Sequence, residues 1–183
     1  MKGMTNVFGE LDIKDRWNLK IIKVESHEVK SYTPIGMAYV MMRNASFDSK
    51  DISLSYKYGC VNTRDAFSVS CGENSSACIV DFPGLSLLET RIFIQECLDM
   101  GNLSYMDGGT NTTAINPGRL GDPVINYVHF PAHMYQTLHT HPSHRVGLVI
   151  RGNGKIELDN KEFYDINEGE IFFMRRNCLH NFI

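Results

Sequence analysis

Short apolar runs, alternating with polar positions and separated by clusters of Asn, Asp, Gly and Ser, recur along the first half of this chain. Met37–Met42, Ile52–Tyr58, Phe67–Cys71 and Ala77–Phe82 have the length and the β-branched or aromatic content of strands, and the clusters between them mark turns. Residues 1–19 are polar and mixed; Trp17 and Leu19 lead into Ile21 and Ile22, which predicts an arm or a first strand. Residues 85–100 carry two patterns. Ser86 and Glu89 have capping-box spacing and Gly101 suits a helix end, whereas Thr90–Ile94 reads as a strand; a short helix is the expectation. Segment 105–123, with Asp107-Gly-Gly, Asn116-Pro-Gly and Gly121-Asp-Pro, reads as a loop long enough to cover a barrel mouth, and it leads into a strand over 124–130.

The candidate chemistry lies further on, in His139-Thr-His141-Pro-Ser-His-Arg-Val-Gly-Leu-Val-Ile-Arg-Gly152 and Gly169-Glu-Ile-Phe-Phe-Met-Arg-Arg-Asn-Cys-Leu-His180. On an extended strand, side chains two apart share a face about 6–7 Å from one another, so one ion can take both His139 and His141. His180, on a hairpin-connected strand, would complete the set. Alternation also puts Tyr135 and Thr137 in the same cavity, with Tyr135 as proton donor or wall, and His133 at the rim. His144 is a further candidate ligand if the Pro142-Ser143 turn bends it inward. An isolated His-x-His is more often two unremarkable strand histidines; it is the company of Gly152, Gly169 and His180 that reverses the balance.

These two runs resemble the paired signature motifs of the cupin superfamily, whose first reads Gly, five residues, His-x-His, three or four residues, Glu, six residues, Gly. The second reads Gly, five residues, Pro-x-Gly, two residues, His, three residues, Asn. His139, His141, Gly152, Gly169 and His180 fall on these positions, and "RVGLVIRG" is similar to the germin-like strand. The resemblance covers roughly residues 124–183. It departs at His133 (for Gly), Arg145 (for the metal-binding Glu), Arg175 (for Pro) and Asn177 (for Gly). Asn tolerates the left-handed backbone that a Gly supplies there. Arg145 is the serious change, because a guanidinium can neither ligate nor be expected to deprotonate. At about 5 Å, with an effective dielectric near 20, it opposes a dication by roughly 6 kcal/mol.

The resemblance implies an all-β fold: a cupin jelly-roll (double-stranded β-helix) barrel over 105–183, preceded by a β-rich region over 1–104 that is an arm, a lid or a degenerate second barrel, with the one short helix. In cupins a further strand follows the second-motif histidine; here either the sequence is a shortened piece, or the N-terminal half or another subunit supplies that strand. The implied cofactor is one divalent transition metal (Fe, Zn, Ni, Cu or Mn) on His139, His141 and His180. Arg145, standing in for the Glu, would clamp an anion bidentately, either as a catalytic or a substrate-binding group, and Arg119 is a weaker clamp. Phe172, Phe173 and Met174 read as barrel packing.

With 183 residues and a net charge of −3, the chain can bury one sizeable core and has no basic footprint for nucleic acid. No apolar run suits a membrane span or a signal peptide, which predicts a soluble, cytoplasmic protein, and an open sheet edge where the further strand would lie suggests a homodimer. Five cysteines, without a Cys-x-x-Cys pair, are expected to stay free thiols, and the Asn-x-Ser/Thr sites at Asn44, Asn74, Asn102 and Asn111 to stay unmodified. Three functions fit. One is a metal-dependent enzyme of dioxygenase, lyase or isomerase type acting on a small organic anion; another is a non-catalytic barrel sensing a small molecule; the third is a storage protein with a vestigial site.

Overall fold

The computed structural model describes residues 3–15, 18–85, 89–95 and 100–183, and almost all of its regular structure is strand. In chain order the strands are β1 (Met4–Asn6), β2 (Glu10–Ile13), β3 (Leu19–Val24), β4 (Val29–Tyr32), β5 (Met37–Ser49), β6 (Ser53–Thr63), β7 (Phe67–Phe82) and β8 (Arg91–Gln95). They continue as β9 (Leu103–Ser104), β10 (Thr110–Ile115), β11 (Ile125–His129), β12 (Arg145–Leu148), β13 (Asn153–Leu158), β14 (Phe163–Asn167), β15 (Ile171–Met174) and β16 (His180–Phe182). No helix among the described residues is long and apolar enough to cross a membrane.

The chain forms two compact units. One comprises Val7–Cys97 and Ala114–Ile125; the other comprises Met1–Asn6, Leu98–Thr113 and Asn126–Ile183. The sequence suggested a single cut at 104/105, whereas the chain passes between these units more than once.

The first unit is built on a seven-stranded antiparallel sheet in the order β2-β3-β7-β5-β6-β8, with β4 also paired to β7. Its apolar pattern shifts phase along β5. Ala38, Val40 and Met42 share one buried face, and so do Ala45 and Phe47, although strict alternation would put the last two on the opposite side. A bulge between Arg43 and Ala45 absorbs the difference, with Asn44 at φ 52° in the left-handed region that Asn tolerates. The expected runs over 67–71 and 77–82 prove to be parts of one strand, β7. Asp81, fully buried, accepts hydrogen bonds from the Tyr32 hydroxyl (2.9 Å) and from the Ile35 and Gly36 amides (2.7 and 3.3 Å), which fixes the turn between β4 and β5.

Two expectations are corrected here. The helix favoured over 85–100 is not formed at Arg91–Gln95, which is strand β8, paired from Tyr58↔Gln95 to Asn62↔Arg91. The open edge of β6, and the Asn62 Oδ1 that accepts the Arg91 amide (2.8 Å), outweigh a capping box of modest intrinsic strength. Residues 86–88 and 96–99 lie outside the described residues. Within the loop expected over 105–123, Thr110–Ile115 is strand β10, paired with β9, and Met106–Gly108 is a single 3₁₀ turn.

The second unit carries the two histidine runs. Its sheets are β1-β15-β12, β14-β13-β16 and β11-β10-β9. Met4, Ile156, Leu158, Ile166 and Met174 form its core, with Val149, Tyr164, Phe172 and Phe182 packed against them. The free edge of β15 is taken by β1, from Met4↔Met174 to Asn6↔Phe172, and the Arg175 amide extends the ladder to the Gly3 carbonyl (2.9 Å). A proline has no N–H to give. Arg175, where the cupin motif has Pro, therefore supplies a bond the motif residue could not.

Candidate metal centre

The turns that aim the histidines rest on backbone conformations visible in the motif spacing. Gly152 and Gly169 have φ of 86° and 83°, while His133 and Asn177, at the positions where cupins have Gly, adopt 62° and 58°. The Asn177 amide donates to the His141 carbonyl (2.7 Å), tying the second run to the first.

His139 and His180 face each other in an isolated antiparallel bridge, each amide donating to the other's carbonyl (2.9 and 3.0 Å). Residues so opposed present their side chains on one face. The rings of His139, His141 and His180 converge with centroids 4.5–5.3 Å apart, and one ring nitrogen of each lies within 4.8 Å of the others. The Nδ1 atoms of His139 and His180 each lie 2.8 Å from a carbonyl oxygen, of Thr137 and Cys178 respectively. A carbonyl accepts only, so each Nδ1 carries the proton and each Nε2 keeps its lone pair, the tautomer a metal needs. Thr137 is itself held by Asp107, whose carboxylate accepts its amide (2.6 Å) and its hydroxyl (3.2 Å). His180 is buried, and its ring lies 5.8 Å from Phe182, which packs on Phe130 (5.1 Å) and Phe172 (5.8 Å). The donor set therefore fits a divalent transition metal, with aromatic rings on one side of it.

Burial, reinforced by Arg145, His139 and His180, pushes the His141 pKa down from 6.5 to about 4, and burial also lowers that of His180. Both rings are neutral at physiological pH. Because the folded His141 resists protonation and the unfolded one does not, metal-free protein loses stability as pH falls from about 6.5 to about 4. The loss is about 2 kcal/mol after allowing for the ring's partial solvent access. Urea midpoints across that window check this, and a His141→Asn variant should show a flatter profile.

Arg145 lies opposite Met174 in the β12–β15 ladder and so shares the inner face with Phe172 and Gly147. It keeps solvent access, donates from Nη1 to Ser143 Oγ (3.0 Å), and is near enough to lower the pKa of both His141 and His180. Its own pKa is lowered by partial desolvation, with Tyr105 acting the other way.

Other expected site residues stand elsewhere. Tyr135 is 59% exposed and its hydroxyl donates to Glu157 (2.7 Å), so it does not join the histidines. The strand parity that placed Tyr135 and Thr137 with His139 fails because 134–138 is not a regular strand: the Gln136 amide, rather than that of Thr137, reaches Phe182 O (3.0 Å). His144 is not gathered in. It falls on the opposite alternation from Arg145, its Nδ1 accepts the Arg176 amide (3.0 Å), and its ring packs on Phe173 (5.2 Å). Arg119 belongs to the other compact unit, and its guanidinium donates twice to Asp122 (3.2 and 3.1 Å). Phe173 and Met174 are buried packing, as expected. Cys60, Cys71, Cys78 and Cys178 are free thiols, with burial pushing Cys60 up to about 12 and Cys71 up to about 11; Cys97 lies outside the described residues.

Sheets that bring two histidine-bearing runs onto one inner face define the class of protein: the chain has the cupin fold. Residues 121–183 match the family model described as the AraC-like ligand-binding domain. Among solved structures, the chain is similar to a cupin 2 conserved barrel domain protein from Leptotrichia buccalis (13% identity, TM-score 0.57), over 98% of this chain and 81% of that one. It is similar to an IolB-like protein from Salmonella typhimurium LT2 (11%, TM-score 0.57; 90% and 77%). A third is the salicylate 1,2-dioxygenase of Pseudoaminobacter salicylatoxidans, in adducts with gentisate (10%, TM-score 0.58; 90% and 64%). No curated protein matches the sequence. These alignments extend well beyond residues 121–183, so the likeness takes in the β-rich N-terminal half.

Proposed function

We propose that this protein binds one divalent transition metal through His139, His141 and His180 and acts as an enzyme on a small organic anion. The convergence of three imidazoles, two of them locked in the metal-binding tautomer, carries the reading. Such an ion supplies Lewis acidity and open coordination positions. The chain's own residues do the rest. With no carboxylate among the three donors, the site keeps its full positive charge, and Arg145 adds to it from the same face; a substrate carboxylate is favoured, with the guanidinium setting its orientation. Phe130, Phe172 and Phe182 keep water from the buried side of the reacting groups. The likeness to a dioxygenase found in adducts with gentisate supports dioxygen chemistry among the three reaction types.

A second reading has its own support in the match of residues 121–183 to the AraC-like ligand-binding domain: a barrel that senses a small molecule without converting it. One experiment separates the two. Protein reconstituted with Fe(II), Zn or Ni is titrated with small carboxylic acids while dioxygen uptake and product formation are followed. Turnover with at least one acid supports the enzyme; saturable binding without conversion under every metal leaves the sensor. In either case Arg145→Ala should weaken carboxylate binding about tenfold at unchanged metal content, and unchanged affinity would reject the clamp.

A further inference from the structure

Gln136 is 1% exposed, yet neither its Oε1 nor its Nε2 has a hydrogen-bond partner among the described residues. Buried amides are almost always satisfied, and leaving one unsatisfied costs about 1–3 kcal/mol per group. The backbone says where this amide lies. The Gln136 amide donates to Phe182 O (3.0 Å), three residues before the two-way bridge of His139 and His180. Phe182 and His180 are two apart on β16, so they share a face. Gln136 is thus tied through its backbone to the residue whose ring lies 5.8 Å from that of His180, while its neighbour Tyr135 turns outward to Glu157. Asn6 gives independent support. It lies opposite Phe172 in the β1–β15 ladder, on the face whose ring packs against Phe182, and its Oδ1 is likewise buried without a partner.

We infer that Gln136 is a specificity-determining residue of this site, holding a ligand that offers one acceptor and one donor: a hydroxy acid rather than a simple carboxylic acid. Nε2 donates to an oxygen of the ligand and Oε1 accepts its hydroxyl proton, while Arg145 takes the carboxylate. A bound hydroxy acid satisfies both halves of the amide; its deoxy analogue leaves Oε1 unsatisfied, and that is the source of discrimination. The proposal deepens the ligand-binding reading above and rests on it.

The test compares matched acids, salicylate with benzoate and lactate with propionate, on metal-reconstituted parent protein and on Gln136→Leu by calorimetric titration, with metal content measured in both. The parent should prefer the hydroxy acid of at least one pair by tenfold or more, and Gln136→Leu should reduce that preference to within about twofold at unchanged metal content. Gln136→Leu should also raise the melting temperature of ligand-free protein, since it removes an unsatisfied amide. A preference that survives in the variant, a parent that binds none of these acids, or a variant less stable than the parent would overturn the assignment and make Gln136 a structural amide. Failure of the metal reading would show separately, as absence of metal from the parent.

Discussion

On the proposed reading, His139→Ala combined with His141→Ala is expected to take the protein from about one divalent ion per chain to none, while the fold survives. The survival follows from how the centre is built. His139 and His180 are joined through their backbone amides and carbonyls (2.9 and 3.0 Å), and those bonds do not need the imidazoles. His141 is anchored through its carbonyl, which accepts the Asn177 amide (2.7 Å). What disappears is two of three donors, and the single remaining imidazole, on a largely buried strand, cannot hold an ion against water and buffer. Elemental analysis of untagged protein beside far-ultraviolet circular dichroism reads both halves of the prediction. Stoichiometric metal retained in the double variant would remove the centre from these histidines altogether.

Gly147→Ala is the second large effect, and it acts through shape. A Cβ at this position would sit 2.2 and 2.4 Å from Cζ and Cε1 of Phe172, the residue paired with Gly147 across the β12–β15 ladder. Non-bonded carbon atoms do not approach that closely, so the ring must turn. It has little room: Phe172 packs on Phe182, and Phe182 lies 5.8 Å from the His180 ring. Overpacking of this kind costs about 1–3 kcal/mol. Because the displaced ring belongs to the wall beside His180, we expect a melting temperature several degrees lower together with a metal affinity reduced about tenfold. Thermal denaturation and a competitive metal titration measure the two separately. Lower stability at full affinity would mean that the aromatic wall does not position the histidine.

Legibility in the sequence followed the range of the interactions concerned. The convergence of His139, His141 and His180 was readable because motif spacing reports local turns, and residues 133, 152, 169 and 177 all take positive φ as those turns demand. Most strands of the N-terminal half were readable from alternation. The phase shift in β5 was not, since Asn44 gives only a permissive signal for a bulge. Arg91–Gln95 was lost because its own propensities balance and the open edge of β6, nearly thirty residues earlier, decides the matter. Tyr135 failed for the opposite reason: alternation was assumed where Asp107, bonded to Thr137, draws the chain out of regular pairing. Gln136 gave no signal at all in sequence, because a buried glutamine without partners is a property of the folded face and not of the residue.

The place of β1 bears on how the protein is made. Met4 pairs with Met174, 170 residues later (174 − 4), so β1 leaves the ribosome long before the strand it needs. At roughly 5–20 residues per second, Met4 waits about 10–30 s for its partner. Meanwhile β3, β5, β6 and β7 already have one another, and the seven-stranded sheet can assemble during synthesis. An unpaired strand waiting in a crowded cell can be captured by the β15 edge of another copy instead. Refolding yield should therefore fall with protein concentration, and the lost material should contain dimers that have exchanged their first strands.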